Sequence, residues 1–403
     1  MEEEGSRLTL RKNRSFHLYL LKVALTSLAF SVYSIFIPIF AYKYSGSLVF
    51  TGVVLFAQYG IYSLVFLTGP VVDRVRNKRN IFALSYSSMA AFSMFLAVML
   101  YMNSLTPAIL IAVVVAIAVS DNFAWTAGHI VLPFLVNKSE FFRANGYAHL
   151  VSGTHAVGGF VLAGVIIIFL GDFESIVLYS TAMAAAFVVI LFIPLVTRHS
   201  GDTGNGGFTE GWRYLVLNHK PLIMTAMYLS LVSFFGLAPA LFILQGTAGS
   251  SWYIILYASF MVGGSVAGPL LGMMNMKKRI GYAIVFSAMA YALLLMASSY
   301  LFAVPFAEIP VWVASGISFD FSIMLFNVYL QGSVREDFLG RSASSLYTFR
   351  GISTSVGVLA IPLLILHFGL SITSFIQILL VIPVSIVIIV FGKSMIHTSF
   401  QVK

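Results

Sequence analysis

Long apolar segments separated by short polar ones fill almost the whole chain. A membrane-spanning helix requires about 20 mostly apolar residues, and twelve segments of this sequence reach that length. Clusters of charged residues, Gly, Pro, Asn and Ser mark their ends. The segments are too long for membrane β-strands and do not alternate polar and apolar positions as such strands do. The pattern therefore predicts an all-α integral membrane protein whose spans cover approximately residues 16–42, 48–72, 80–102, 106–136, 141–170, 174–197, 221–245, 251–275, 280–302, 305–333, 342–368 and 371–392.

The composition supports this prediction and excludes several classes of protein. Of the 403 residues, 59% are hydrophobic and 9% are charged, whereas about 25% are charged in soluble globular proteins. Such a chain cannot cover a folded surface with polar groups. We therefore expect neither a soluble enzyme nor a nucleic-acid-binding domain, despite the net charge of +9. The sequence has no cysteine, which excludes disulfides and thiolate metal sites, and we expect no cofactor.

Basic residues are distributed unevenly between the loops. Alternate loops hold 20 of the 23 Lys and Arg residues, the other loops hold only Lys43, and Lys22 and Arg350 lie within predicted spans. Because cytoplasmic loops are rich in Lys and Arg, we predict a multi-pass protein of the plasma membrane with both termini in the cytoplasm. We expect Lys22, close to one end of the first span, to extend to the membrane surface.

The two halves of the sequence correspond at an offset of 199 residues. This offset predicts an N-terminal half of six helices at residues 1–197, a cytoplasmic linker at 198–220 and a C-terminal half of six helices at 221–403. Six helices return the chain to the same side, so the halves would be parallel repeats with the substrate path between them. The offset aligns Gly69-Pro70 with Gly268-Pro269, Lys78 with Lys277, Asp121 with Asp320, and Gly158 with Gly357.

A conspicuous charged motif follows the second span. The run GPVVDRVRNKR at residues 69–79 resembles the loop signature of the major facilitator superfamily, G-x-x-x-D-R-x-G-R-[RK], and departs from it at Arg76 and Asn77. The resemblance implies the major facilitator fold and a secondary active transporter that works by alternating access. It also implies that this loop forms a cytoplasmic latch with the start of the eleventh span. The residues of the predicted latch are Gly69, Asp73, Arg74, Lys78, Arg79, Gly340 and Arg341.

The predicted latch has a physical rationale and an alternative. Gly69 permits two helices to approach closely, and the Asp73 carboxylate suits the positive end of a helix dipole. Alternatively, the cations of this loop only set the orientation of the chain in the membrane.

The fifth span contains a second motif with a family resemblance. Residues 153–164, GTHAVGGFVLAG, are similar to the antiporter motif of efflux transporters, whose centre reads G-P-x-x-G-G. Phe160 stands at the position of the proline and Ala163 at that of one glycine. The resemblance implies the drug:proton antiporter branch of the family, and ordinary packing of small residues is the alternative.

Two acidic residues near the middle of predicted spans are the strongest candidates for chemistry. A carboxylate at the centre of a bilayer costs about 2.5–3.5 kcal/mol on insertion scales, so Asp121 and Asp320 need protons, ion partners or water. We predict that they couple proton movement to transport, the alternative being hydrogen bonds between helices. Arg350 would pair with Asp320, hold an anionic substrate or reach the cytoplasmic surface. Because pairing would keep Asp320 ionised, we favour Asp121 as the titrating group.

Other polar and aromatic residues are candidates for the wall of a cavity or for a proton relay. Asp121 and His129 lie eight residues apart, which is about 80° around a helix, so both could face one cavity. We expect Glu308, close to the outer surface, to be hydrated. A metal site is not expected, because no pair of ligands has i, i+4 spacing. The candidates for the cavity or relay are Trp125, His129, His155, Arg350 and Asn327.

Together these features predict proton-coupled export of a small amphipathic compound by a monomer. The expected partners are the small-molecule substrate, protons and the lipid bilayer. Uptake, or lipid flipping between leaflets, is the alternative within transport. A membrane-embedded enzyme is a weaker alternative, because the spans offer only scattered His and Asp residues.

Overall fold

A computed structural model describes residues 10–75, 77–136, 141–194, 208–235, 251–273, 280–301, 305–334 and 336–391. Every regular element among these residues is helical, which confirms the all-α prediction. A short 3-10 helix at Leu10–Lys12 precedes thirteen α-helices. They are α1 (Arg14–Ser45), α2 (Leu48–Tyr62), α3 (Val65–Arg74), α4 (Lys78–Tyr101), α5 (Pro107–Leu135), α6 (Phe141–Phe169), α7 (Asp172–Leu191), α8 (Phe208–Asn218), α9 (Lys220–Phe234), α10 (Ser251–Met273), α11 (Ile280–Leu301), α12 (Pro305–Ser333) and α13 (Glu336–Phe391).

These helices account for the twelve predicted spans. Within the described residues, nine helices are long and apolar enough to cross a membrane, and the pair α8–α9, bent by 111°, makes ten. One of the nine, Ser342–Ile389, is 48 residues long and holds the eleventh and twelfth predicted spans. The shorter apolar helix Trp252–Gly268 corresponds to the eighth span. The seventh predicted span continues past α9 to residues outside those described.

Local sequence signals set several helix ends. The Ser47 side chain accepts a hydrogen bond from the backbone N–H of Phe50 and starts α2. Thr106 does the same for the N–H of Ile109 at the start of α5, where Pro107 occupies the first turn. Gly369, with φ of 78°, interrupts the helical backbone of α13 between its two spans.

Contacts divide the chain into two compact units, residues 1–37 with 67–203 and residues 38–66 with 204–403. In the first unit, α4 packs on α5 and α7. In the second, α12 packs on α10 and α11, and α13 packs on α2, α8, α9 and α11. A Cβ added at Gly52 of α2 would lie 2.6 Å from the Val358 carbonyl oxygen of α13. This close approach places residues 38–66 in the second unit, across the predicted boundary between the halves.

The turn between α3 and α4 is held by polar contacts of its own residues. The Asn77 side chain accepts a hydrogen bond of 3.1 Å from the Arg79 N–H and caps α4. Lys78 is buried, and its ammonium group donates to the Val72 carbonyl oxygen. A cation at the carbonyl end of α3 is stabilised by the helix dipole. Lys78 therefore stabilises this turn, in addition to any part that its charge has in orienting the chain in the membrane.

Candidate functional site

In the first unit, Asp121 lies on α5 and interacts electrostatically with Lys22 on α1. Lys22 is buried, and its Nζ lies 4.8 Å from the centre of the Tyr19 ring and 5.0 Å from that of Phe82. Ring faces stabilise a cation when water is excluded. The expectation that Lys22 extends to the membrane surface is therefore wrong, because its ammonium group turns inward to a carboxylate and two aromatic rings.

A polar network lies one position along α5 from Asp121. Asn122 is buried, and its side-chain oxygen accepts a hydrogen bond of 3.3 Å from the Thr68 hydroxyl of α3. The Thr68 and Thr126 hydroxyls are 3.0 Å apart. Trp125 is about half exposed, at 47%. The network joins α3, which carries the predicted latch residues, to the helix that carries Asp121.

Of the two histidines predicted for a relay, the structure describes the side chain of His155 but not that of His129. His155 on α6 is exposed, and its Nδ1 lies 2.8 Å from the Val151 carbonyl oxygen of the same helix. This contact fits a hydrogen bond between the imidazole and the backbone of its own helix. His129 lies within α5, but its side chain is outside the described part of the structure, so its position relative to Asp121 remains a prediction.

In the second unit, Asp320 lies near the middle of α12 and interacts electrostatically with Arg350 on α13. Of the three alternatives for Arg350, pairing with Asp320 is thus the one that this arrangement fits. The Tyr347 hydroxyl, one turn before Arg350, donates a hydrogen bond of 3.0 Å to the Asn327 side-chain oxygen. The predicted residues Asp320, Arg350 and Asn327 are therefore brought together along one α12–α13 contact.

Glycines on α10 and α12 set the position of Asp320. A Cβ added at Gly264 would overlap Asp320 Oδ2, so the carboxylate lies directly against the α10 backbone. A Cβ at Gly316 would overlap the Phe260 carbonyl oxygen, and one at Gly263 would overlap that of Val313. Small residues permit such close helix packing in membranes. The backbone contacts hold α10 and α12 close together one to two turns before Asp320.

The antiporter-like motif also contributes a close contact, within the first unit. A Cβ added at Gly159 would lie 2.8 Å from the Leu28 carbonyl oxygen of α1, whereas nothing lies within 4 Å of such an atom at Gly153 or Gly158. Ala163 is buried. One glycine of the motif therefore packs α6 on α1, the helix that carries Lys22.

The predicted latch is described only in part. Lys78 and Arg79 form the turn contacts given above, and Arg79 Nη1 also lies 3.5 Å from the Leu191 carbonyl oxygen. The remaining latch residues lie outside the described side chains, so their contact remains a prediction. Gly69, Asp73 and Arg74 belong to α3, and Gly340 and Arg341 belong to the first two turns of α13.

The surroundings of Glu308 differ from those predicted from the sequence. We expected this residue to be hydrated, but its exposed fraction is 0%. Its carboxylate faces the indole N–H groups of Trp252 and Trp312. A pair of tryptophans near one end of their helices was the available signal, but tryptophans at membrane boundaries commonly serve only as anchors.

Among the described residues, no group of three or more His, Asp or Glu side chains has an arrangement that could hold a metal ion.

Comparison with known proteins identifies the family. The Major Facilitator Superfamily model matches residues 19–358. The fold is similar to that of the nucleoside transporter NupG, with a TM-score of 0.73 at 11% sequence identity over 93% of this chain and 99% of that one. A single-residue variant of NupG gives the same TM-score at 12% identity and the same coverage. No curated protein sequence matches the chain. The chain therefore belongs to the major facilitator superfamily, and is a multi-pass membrane protein that transports a small-molecule substrate by alternating access.

Proposed function

We propose that this transporter couples the movement of protons to the export of a small amphipathic compound. The observation that supports the proposal is the interaction of Asp121 with the buried Lys22 in the first unit. A proton that binds Asp121 removes the negative charge facing Lys22. The ammonium group then loses the stabilisation that Asp121 provides, which is unfavourable in a buried site. Protonation therefore changes the energy of the α1–α5 contact, which is what coupling to a conformational change requires.

Asp121 is the better candidate than Asp320, although not for the reason that the sequence suggested. From the sequence we expected a cation to interact with Asp320 only, whereas both carboxylates interact with one. The difference lies in the two cations. Arg350 keeps its proton under all ordinary conditions, but a lysine such as Lys22 can release one. The pair in the first unit therefore has two groups that can exchange a proton, and the pair in the second unit has one.

Export is supported by the antiporter-like motif of α6. The support lies in the resemblance of this motif to that of efflux transporters, and Gly159 packs closely on Leu28 and Ser31 of α1, as the glycines of such a motif can. Uptake of a nucleoside is the second candidate, because the fold is similar to that of the nucleoside transporter NupG. The two candidates differ in direction and in substrate, and the same vesicle assay distinguishes them.

The test is transport by the purified protein in lipid vesicles. A pH gradient is imposed, and its dissipation is followed while amphipathic compounds and nucleosides are added singly. Coupled transport dissipates the gradient only when its substrate is present. We expect Asp121→Asn to lose pH-driven flux and to retain downhill exchange, because Asn keeps the size and hydrogen bonds of Asp but cannot titrate. If the Asp121→Asn protein, matched for the amount reconstituted, retains full pH-driven flux, Asp121 does not couple transport to protons.

A further inference from the structure

Glu308 is a carboxylic acid that the proposed coupling mechanism does not use. It lies in the first turn of α12, twelve residues from Asp320, which corresponds to a rise of about 18 Å along the helix. Its exposed fraction is 0%, and both carboxylate oxygens are inaccessible to solvent. Neither oxygen has a hydrogen-bond partner among the described residues. A buried ionisable group without an ion pair is uncommon in a membrane protein and is by default a candidate for function.

The residues around Glu308 support both of its protonation states. The indole N–H groups of Trp252 on α10 and Trp312 on α12 face the carboxylate, and like the carboxylate oxygens they lack a hydrogen-bond partner. The start of α12 also favours a negative charge. Burial away from water opposes that charge. The two donors and the helix start therefore favour the carboxylate, and burial favours the neutral acid.

The helices packed most extensively on α12 contribute no charged residue to the surroundings of Glu308. The sequences of α10 and α11, the two helices packed most extensively on α12, contain no Lys, Arg, His, Asp or Glu. The nearest titratable side chains at this end of those helices are the tyrosines Tyr253 and Tyr300. Other titratable or charged side chains among the described residues of the helices packed on α12 are Tyr257, Tyr282 and Tyr291 of α10 and α11, Tyr228 and Lys220 of α9, and Tyr347, Arg350 and the exposed His367 of α13.

We propose that Glu308, with Trp252 and Trp312, forms a proton-binding site in the second unit that is separate from Asp320. The ligand is a proton, because the carboxylate oxygens have no room for a larger cation and both neighbouring N–H groups would repel one. The charge pattern predicts that this end of α12 lies on the non-cytoplasmic side. The site would therefore respond to protons from the side opposite the latch.

Tryptophan fluorescence provides a test that does not depend on transport. The chain has four Trp residues, and the changes Trp125→Phe and Trp212→Phe leave only the two that face Glu308. Loss of the negative charge beside both indoles alters their emission. We expect this full-length reporter protein to show one sigmoidal change in emission as the pH is lowered. We expect the same change after Asp320→Asn, and no change after Glu308→Gln.

Two results would overturn the proposal. One is a reporter emission that does not depend on pH, and the other is a Glu308→Gln protein that shows the same transition as the parent. If Glu308→Gln does not yield folded protein, Glu308→Asp takes its place. The shorter side chain moves the carboxylate away from the indoles, so we expect a shifted midpoint, and an unchanged midpoint would contradict the proposal. None of these readings depends on Asp121, so the proposed coupling can fail while this site stands.

Discussion

Replacing Gly264 with Ala is the most direct perturbation of the Asp320 site. The added Cβ would overlap Asp320 Oδ2 and lie 3.0 Å from Asp320 Cγ. Either the carboxylate turns away or α10 and α12 move apart. Separation of the helices would break the close backbone packing at Gly263 and Gly316. We therefore expect the Asp320 side chain to move and to weaken its interaction with Arg350.

The expected loss of stability follows from the packing. Adding a methyl group to a well-packed contact typically destabilises a protein by about 1–3 kcal/mol. Gly268→Ala is the matched control on the same helix, since its Cβ would lie 3.7 Å from Met324 Cε, an ordinary contact. Alanine favours a helix over glycine by up to about 1 kcal/mol. Gly268→Ala should therefore be neutral or stabilising, whereas Gly264→Ala should lower the unfolding temperature in detergent and reduce transport.

A second substitution identifies the atom responsible. Asp320→Ala removes the carboxylate that the new methyl group meets, so Gly264→Ala should destabilise the Asp320→Ala protein much less than the parent. The difference between the two effects is the coupling energy of a double-mutant cycle. A cycle with no coupling would refute the proposed contact. Equal stability and activity of Gly264→Ala and Gly268→Ala would refute it as well.

Two further predictions concern the α3–α4 region. Asp73→Ala should leave membrane insertion intact and favour opening to the cytoplasm, because the predicted latch would lose a charge–dipole contact worth about 0.3–2 kcal/mol. Labelling of a cysteine placed in the cytoplasmic cavity should then increase, and unchanged labelling would contradict the latch. Lys78→Met should lower the free energy of unfolding by about 1.5–3 kcal/mol, because it removes a buried hydrogen bond from a charged donor. Arg79→Met, which removes a longer and exposed contact, is the control, and equal thermal unfolding of both variants would refute the structural role of Lys78.

The helices were predictable from the sequence because a lipid-spanning segment is recognisable from its own residues. About 20 apolar residues are sufficient to predict a span whatever packs on it, and the boundaries of α4, α11 and α12 lie within two residues of the predicted spans. Asp121 and Asp320 could be selected as candidate site residues from the sequence, because a carboxylate inside such a span is rare.

The partners of the charged groups were not predictable in the same way. Burial of Lys22 depends on the Phe82 ring, which is far away in the sequence, and burial of Glu308 depends on Trp252 of another helix. No window along the chain contains both members of either contact. The direction of a long side chain is therefore decided by tertiary packing, and the position of Lys22 near the end of its span gave the wrong direction.

The repeat in the sequence relates the two carboxylates but not their cations. At the offset of 199 residues, Asp121 corresponds to Asp320, whereas the position equivalent to Lys22 is Pro221 and the one equivalent to Arg350 is Val151. Each unit thus compensates an equivalent acid with a cation from a different helix of its repeat, α1 in one and α13 in the other. A pair that contains arginine can lose its charge balance only through the acid, while a pair that contains lysine can lose it through either member. We therefore expect equivalent positions in the two units to differ in proton chemistry, so substitution of the two acids should not have the same effect on transport.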